Sequence, residues 1–318
     1  MAKSPASKKP APSRNAAAAK KAPAKGASGR PAGLFTWLAV GLVVVVVATL
    51  VIIKVASGTS SGGNSGFQSA DPTVVAELTH VPVSVFNTVG ITSTVSPVTP
   101  PQSLAGQPLL TGLSSTGATV PQVFYLGAEY CPFCAAERWP MIIALSRFGT
   151  WSGLGNMQSS TLTGEVYPGT PTFTFIKAKY KSTYLSFSSV EEYNNIFNTS
   201  LNYYSPLQKP TKKQAALFTK YDTPKYIHGA TSSGSIPFMS IGNKFLGSGS
   251  SYTPATLANL SRSAIAAGLS DPTSPVTDAI ISSANYYSAA LCKLTNNQPG
   301  SVCTSKGVMA AKKAMGIK

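Results

Sequence analysis

The clearest feature of the hydrophobicity pattern is an uncharged apolar run, LFTWLAVGLVVVVVATLVII, at positions 34–53. At about 1.5 Å per residue, a helix of this length spans the ~30 Å hydrocarbon core of a bilayer. The run is longer than the apolar region of a typical signal peptide. It therefore predicts a single, uncleaved transmembrane helix.

The segments on either side of this run have no pattern that could build a hydrophobic core. Residues 1–33 are rich in Ala, Lys, Pro and Ser and lack apolar periodicity, which predicts a disordered tail. Residues 54–70 are dominated by Ser and Gly and predict a flexible linker. The globular part of the chain is therefore expected to begin at residue 71.

From residue 71 onward, apolar positions recur with the periods of strands and helices, which predicts an α/β domain over residues 71–275. Its centre is a strand in the apolar run at 123–126, followed by a helix over 135–147. Two apolar runs on either side of Gly242-Asn243 predict a β-hairpin. Further helices are predicted at 74–78, 253–267 and 276–291, and further strands at 81–89, 155–162 and 172–178.

Residues 179–230 change to a helical period. The Ser-Val-Glu-Glu run at 189–192 has the spacing of a capping box, and the apolar residues that follow it fall on one helical face. Thr211 and Gln214 repeat the capping signal before a second apolar run. The pattern predicts a helical insertion here, and residues 276–318 are expected to form a C-terminal helix and a frayed tail stapled by a disulfide.

The distribution of charge gives the apolar run an orientation. The formal net charge is +16, and residues 1–30 contain eight Lys or Arg residues and no acidic residue. The positive-inside rule places this tail in the cytoplasm and the chain beyond Lys54 outside it. The sequence therefore predicts a single-pass protein of the cell membrane whose tail meets the lipid bilayer. Nucleic-acid binding is disfavoured because no aromatic or folded motif accompanies the charge.

The candidate chemistry lies between the central strand and its helix, where a Cys-Pro-Phe-Cys turn occupies positions 131–134. A thiol at a helix N-terminus faces unpaired N–H groups and the positive end of the helix dipole, which favour the thiolate. Cys131 is therefore predicted to be the nucleophile. Cys134, one turn further in, is predicted to be the more buried resolving cysteine.

Two other interpretations of this turn stay open. A zinc site is disfavoured because no second Cys or His pair stands at ligand spacing, so neither a metal nor a cofactor is expected. A purely structural disulfide is disfavoured because so short a loop removes little entropy from the unfolded chain.

The remaining cysteines, Cys292 and Cys303, stand eleven residues apart near the C-terminus. In an oxidising compartment outside the cytoplasm they are predicted to form a structural disulfide. The alternative is a second redox pair that relays electrons.

The order of strand, CxxC, helix, strand, insertion, Pro-led hairpin and helix resembles that of the thioredoxin superfamily. The runs GAEYCPFCAAERW (127–139) and ALSRFG (144–149) are similar to those of uncharacterised membrane-anchored thioredoxin-like proteins that share a domain of unknown function. The resemblance covers most of residues 70–292. It implies an α/β fold in which a thioredoxin-like central sheet carries helices on both faces.

The same resemblance implies roles for four residues. Cys131 and Cys134 match the redox pair. Pro237 matches the cis-proline that lies against this pair, and Ile236 before it offers backbone groups to an extended substrate.

The chain departs from thioredoxin at one position. Thioredoxin carries a buried Asp six residues before its first cysteine, where it helps to move the proton of the resolving thiol, and here that position is Tyr125. Glu129 is nearer in sequence but is expected to point to the surface. The missing carboxylate disfavours a fast reductase and leaves an oxidant role open.

These observations predict a membrane-anchored thiol–disulfide oxidoreductase that acts on cysteines of substrate proteins and is restored by a membrane or soluble redox partner. A non-catalytic thioredoxin-like binding or assembly module of the cell envelope is the first alternative. A structural envelope protein whose tail engages lipid or nucleic acid is the second.

Overall fold

The structure is a computed structural model that describes residues 66–94 and 96–318. Its helices are α1 (Pro72–Thr79), α2 (Val83–Val89), α3 (Pro132–Ser146), α4 (Lys212–Tyr221), α5 (Arg262–Gly268), α6 (Pro275–Leu294), α7 (Gly300–Cys303) and α8 (Lys306–Ala314). Its strands are β1 (Gln102–Ser103), β2 (Thr111–Leu113), β3 (Thr119–Gly127), β4 (Thr150–Ser152), β5 (Gly155–Gln158), β6 (Pro171–Thr174), β7 (Lys179–Lys181), β8 (Ser186–Glu191), β9 (Tyr193–Asn198), β10 (Tyr203–Pro206), β11 (Phe238–Ile241) and β12 (Phe245–Ser248).

The main sheet is built around β3, which ends shortly before Cys131. Strand β8 pairs in parallel with the second half of β3 and places Glu191 opposite Gly127. On the other edge β11 runs antiparallel to β3, and β12 and β1 follow it outward. Strand β2 pairs antiparallel with the first half of β3. The fold is therefore a mixed α/β arrangement in which β3 is paired along both edges.

Successive residues of β3 enter two different hydrophobic clusters. Val123 and Tyr125 belong to the larger cluster, which contains the buried sides of α3 and α6. Phe124 and Leu126 belong to a smaller cluster, against which residues of α4 pack. Because strand side chains alternate between faces, burial on both faces explains why this strand is a continuous apolar run in the sequence.

Helix α3 forms as predicted and is almost wholly buried, although it contains a proline. Pro140 has no N–H, so the carbonyl of Ala136 lacks its helical partner. The Tyr252 hydroxyl donates to that oxygen at 2.9 Å, and the Thr172 hydroxyl donates to the neighbouring Ala135 carbonyl at 2.8 Å. The proline is tolerated because side chains outside the helix satisfy the backbone groups around it.

Several local predictions are confirmed. The helix predicted at 74–78 forms within α1, and its N-cap, Asp71, accepts the N–H of Thr73 at 2.8 Å. The hairpin β11–β12 turns through Gly242 and Asn243, whose φ angles of 63° and 54° are the positive values that this turn requires. The capping box that precedes α4 is present with both of its hydrogen bonds.

The predicted helical insertion over residues 179–230 is wrong for most of its length. Residues 179–206 contain strands β7 to β10, and only α4 is helical. The Ser-Val-Glu-Glu run does not start a helix because residues 189–191 lie in β8 and pair with β3. Pairing with a buried strand overrides a capping pattern that extends over only four residues.

The strand predicted at 81–89 is also wrong, because this segment forms helix α2. Its buried residues, Val85, Phe86 and Val89, have helical spacing. The Asn285 amide of α6 donates to the Phe86 carbonyl at 2.9 Å and holds α2 against that helix. The apolar residue types were recognised correctly, but their period was not.

The helix predicted over 253–267 is interrupted. A 3-10 turn covers Pro254–Leu257, Asn259 has a positive φ of 62°, and Ser261 then caps α5 by accepting the N–H of Ala264 at 3.1 Å. A second capping residue therefore starts a separate helix within the predicted span.

The C-terminal tail does not fray. Cys292 at the end of α6 and Cys303 at the end of α7 are joined by a disulfide, and both are fully buried. Helix α8 then packs on α2 and α6, with Val308 and Ala311 fully buried. Through these apolar contacts the final segment forms part of the larger hydrophobic cluster.

Across residues 66–94 and 96–318, none of the helices is long and apolar enough to cross a membrane. The apolar run at 34–53 and the basic tail before it lie outside these residues.

Gly307 provides a test of how closely α8 docks. A Cβ at this position would overlap the Phe86 carbonyl oxygen and approach the Asn285 amide nitrogen to 2.5 Å. We expect Gly307→Ala to lower the free energy of unfolding by about 1–3 kcal/mol, measured by urea denaturation. Gly300→Ala is the matched control, because its Cβ would meet nothing within 4 Å in the part of the chain that the structure describes. Equal stability of the two variants would contradict the docking of α8.

Candidate functional site

The Cys-Pro-Phe-Cys turn lies where the chain passes from β3 to α3. Cys131 is the N-cap of α3, and its Sγ accepts the N–H of Cys134 at 3.2 Å. Pro132 occupies the first helical position, where an N–H would have no partner within the helix. Both thiols are free, with Cys131 exposing 5% of its surface and Cys134 none.

The two thiols differ in acidity because their surroundings differ. The hydrogen bond from the Cys134 side chain lowers the pKa of Cys131 below its ordinary value, helped by the Cys134 N–H and the charge of Arg138 and opposed by burial. Burial raises the pKa of Cys134 well above its ordinary value, and the interaction with Cys131 adds to this. The arrangement therefore favours a thiolate at Cys131 and a protonated thiol at Cys134.

Ile236 and Pro237 lie beside this pair. The Ile236–Pro237 peptide bond is cis, and the Ile236 carbonyl oxygen lies 3.9 Å from Cys131 Sγ. Pro237 is buried and immediately precedes β11, while Ile236 is partly exposed. The structure thus brings together the four residues singled out in the sequence as a redox pair and a substrate-side dipeptide.

A buried ion pair lies under the two cysteines. Arg138, one helical turn after Cys134, donates through Nε to Glu191 Oε1 at 3.0 Å and through Nη2 to Glu191 Oε2 at 2.6 Å. Nη2 also donates to the Ala128 carbonyl at 3.0 Å, and both charged side chains are fully buried. The pair therefore ties α3 to β8 and to the loop between β3 and α3.

Sequence analysis did not identify Arg138 or Glu191 as part of the site. One signal was available, since Arg138, with Glu137 before it, is a charged residue in a helix that is otherwise almost entirely apolar. Glu191 gave no usable signal, because its place opposite Gly127 depends on the parallel pairing of β8 with β3.

Tyr125, six residues before Cys131, is fully buried. Its ring lies 5.6 Å from the Arg138 guanidinium carbon. Gly127, on the same face of β3, has no room for a side chain, because a Cβ there would overlap the Tyr125 hydroxyl and lie 3.0 Å from Cys134 Sγ. The phenol and the resolving thiol therefore border the same small space.

The expectation that Glu129 points to the surface is wrong. Its side chain is 4% exposed, because the loop after β3 folds inward and the Glu129 N–H donates to the Tyr193 carbonyl at 2.9 Å. Burial raises the pKa of Glu129 to about 7, although a hydrogen bond with Thr174 acts in the opposite direction. A carboxyl group with a pKa near neutrality thus stands two residues before Cys131.

Aromatic side chains surround the entrance to the turn. Tyr130 stacks on Tyr204 with ring centroids 4.1 Å apart, and its hydroxyl shares a 2.8 Å hydrogen bond with that of Tyr203. Phe133, inside the CxxC turn, is 39% exposed and contacts Tyr167 edge-on. The exposed edge of Cys131 is therefore bordered by rings contributed from several segments.

Within residues 66–94 and 96–318, no group of three or more His, Cys, Asp or Glu side chains could hold a metal ion. The two cysteines of the turn would supply two ligands, whereas a structural zinc site takes four.

Comparison with known proteins assigns the chain to a family. Residues 111–293, which include β2, β3, the CxxC turn, the cis-proline hairpin and most of α6, match the family described as a domain of unknown function (DUF929), and the chain belongs to that family. No curated protein and no solved structure matches the chain.

The ion pair predicts a large and asymmetric response to mutation. Removing one partner leaves an uncompensated buried charge, so we expect Arg138→Met or Glu191→Met alone to lower the free energy of unfolding by about 3–5 kcal/mol. The free energy of unfolding of the double variant should fall by less than that of either single variant, because the double variant buries no charge. Denaturant titration of all three proteins gives the comparison, and a double variant as unstable as the sum of the singles would contradict this role.

The buried carboxyl groups predict a pH dependence of stability. Burial raises the pKa of Glu129 and of Glu137 from 4.5 to about 7. Between these values the folded chain keeps protons that the unfolded chain has lost, so stability falls as pH rises from about 5 to 7. We expect Glu129→Gln and Glu137→Gln each to make the free energy of unfolding less dependent on pH, by up to about 1.4 kcal/mol per pH unit. Denaturation at several pH values measures this slope. An unchanged slope in both variants would refute the assignment.

Proposed function

We propose that this protein is a membrane-anchored thiol–disulfide oxidoreductase with a thioredoxin-like fold, acting on protein cysteines outside the cytoplasm. The observation that carries the proposal is the position of Cys131. It caps α3 with its pKa lowered, beside a fully buried Cys134 and 3.9 Å from the carbonyl of Ile236. A thiolate at a helix N-terminus next to a second thiol is the arrangement that thiol–disulfide exchange requires.

The order of the strands supports the thioredoxin-like part of the proposal. The core order β8-β3-β11-β12 combines one parallel neighbour of β3 with an antiparallel hairpin. The CxxC turn follows β3, and the cis-proline precedes β11. This arrangement resembles the thioredoxin superfamily in the position of both elements relative to the sheet.

The location outside the cytoplasm is supported by the sequence and by the second cysteine pair. The apolar run at 34–53 with a basic tail before it has the signature of a single-pass anchor. The disulfide between Cys292 and Cys303 is typical of an oxidising compartment.

In the oxidising direction, a substrate thiolate attacks Cys131 Sγ of the oxidised protein. The Cys131–Cys134 bond breaks, a bond between Cys131 and the substrate forms, and Cys134 leaves as a thiolate. A second substrate thiolate then attacks the bound substrate sulfur, which forms the substrate disulfide and releases Cys131 as a thiolate. Two electrons have passed to the protein, and a disulfide-bearing partner must remove them to restore the Cys131–Cys134 bond.

The substrate backbone has a place in this scheme. The Ile236 carbonyl beside Cys131 is available to accept a hydrogen bond from an extended substrate segment. Residues on each side of a substrate cysteine would then meet the aromatic border formed by Tyr130, Tyr203 and Phe133.

A redox titration of the full-length protein in detergent tests the proposal. Glutathione buffers, alkylation of free thiols and mass spectrometry would score each cysteine pair separately. We expect the pair at 131/134 to titrate reversibly in the range of about −120 to −230 mV, as in disulfide oxidants and glutaredoxins. The pair at 292/303 serves as the internal control and should stay oxidised throughout.

A pair at 131/134 that stays reduced or stays oxidised across the whole range would overturn the proposal and leave the non-catalytic binding module. The Cys131→Ser variant completes the test, because it should lose exchange with a model disulfide substrate while Cys292 and Cys303 remain bonded.

A further inference from the structure

Two buried polar groups beside Cys134 lack hydrogen bonds. Among the residues that the structure describes, neither the Tyr125 hydroxyl nor Arg138 Nη1 has a partner. Unsatisfied polar groups in a protein interior are uncommon and cost free energy, so each one calls for an explanation. Here both belong to fully buried side chains that face the resolving thiol.

We propose that Tyr125 and Arg138 form an anion-stabilising site for Cys134, in which the phenol donates a hydrogen bond to the Cys134 thiolate and the guanidinium supplies a fixed positive charge. The inference rests on the proposed function for its place in a reaction. The ionisation of Cys134 that it describes can be measured without any catalytic activity.

The geometry around Gly127 supports this assignment. The Tyr125 hydroxyl and Cys134 Sγ both border the space that a side chain at Gly127 would fill. The hydroxyl oxygen and the sulfur both lie within 3.0 Å of that Cβ position, so the two groups are neighbours. Strand β3 fixes Tyr125 by pairing along both edges, and its ring packs edge-on against Phe175.

Arg138 cannot leave this position easily. Its Nε and Nη2 are held by Glu191, and Nη2 is also held by the Ala128 carbonyl. Nη1 alone remains without a partner in the part of the chain that the structure describes. The guanidinium is thereby fixed one helical turn below the sulfur, and its charge acts to lower the pKa of Cys134.

The phenol acts as a hydrogen-bond donor and not as a base. Burial raises the pKa of Tyr125 well above its usual range, so the hydroxyl keeps its proton. When the Cys131–Cys134 bond breaks, the electron pair of that bond moves to Cys134 Sγ and the phenol donates to the resulting anion. No proton is transferred in this step, and a water molecule or a substrate thiol protonates Cys134 afterwards.

The charged and titratable groups near Cys134 come from three elements and one loop. Cys131 caps α3 and Arg138 lies on it, Tyr125 lies on β3, Glu191 on β8, and Tyr130 in the loop before the turn. In the mixed disulfide with substrate Cys131 carries no charge, so Arg138 and Tyr125, together with the hydrogen bond from the Ala128 backbone, are left to stabilise an anion at Cys134. The proposed site thus acts at the moment when the resolving cysteine becomes the leaving group, and a better-stabilised thiolate leaves faster.

The test uses the full-length chain in detergent with Cys131→Ser, which imitates the uncharged Cys131 of the mixed disulfide. The pH dependence of the ¹³Cβ chemical shift of labelled Cys134 reports its ionisation. We expect Tyr125→Phe in this background to raise the apparent pKa of Cys134 by about one pH unit, a tenfold change in its ionisation constant.

The matched control is Tyr221→Phe, which removes another buried tyrosine hydroxyl on the opposite side of the sheet. It should leave the titration of Cys134 unchanged. Identical titrations of Cys134 in the Tyr125→Phe and control proteins would overturn the proposed anion site, whatever the redox titration shows. The opposite result is also informative. If Tyr125→Phe shifts the titration of Cys134 but the pair at 131/134 never exchanges in the redox titration, the anion site is retained and the proposed function is rejected.

A measurement of stability distinguishes the proposed role of Tyr125 at Cys134 from a purely structural role. Removing a hydroxyl that has no partner should cost no stability, so Tyr125→Phe should unfold at the same urea concentration as its parent or a higher one. With the wild-type Cys131 restored, Tyr125→Phe should slow exchange with a model disulfide substrate about tenfold. Loss of stability together with an unchanged Cys134 titration would assign Tyr125 to the fold alone.

Discussion

The buried pairing of Arg138 with Glu191 is the constraint on which the site depends. The two side chains belong to α3 and β8, elements that are far apart in the sequence and meet only because β8 pairs with β3. A buried ion pair of this kind contributes little net stability compared with apolar side chains of the same size, but it tolerates no alternative partner. It therefore fixes the position of α3 relative to the sheet, and with it the position of both cysteines at the start of that helix.

Hydrogen bonding and burial account for the different acidities of two cysteines that stand three residues apart. Cys131 lies at the helix N-terminus and accepts a backbone N–H, while Cys134 lies within the helix between the sheet and the guanidinium. The hydrogen bonds from Cys134 lower the pKa of Cys131, whereas burial raises the pKa of Cys134.

The sequence predicted the parts of this protein that follow from local chemistry. The apolar β-forming run, the CxxC turn at a helix start, the capping residue Thr211 and the Gly242-Asn243 turn each depend on neighbouring residues. Two of the errors involve a contact made across the fold. Residues 189–191 are strand because β3 pairs with them, and Glu129 is buried because its loop folds inward. The ion pair of Arg138 and Glu191 was missed because Glu191 reaches Arg138 only through the register of a parallel pair.

The small opening above Cys131 has a consequence for the kind of protein that could react there. Only 5% of that residue is accessible, and aromatic rings border the opening. In the proposed exchange, a cysteine held in the rigid surface of a folded protein would have to pass these rings, whereas a cysteine on an extended segment could reach between them. Under the proposed function, the burial of Cys131 would therefore favour polypeptides that have not yet folded over folded ones.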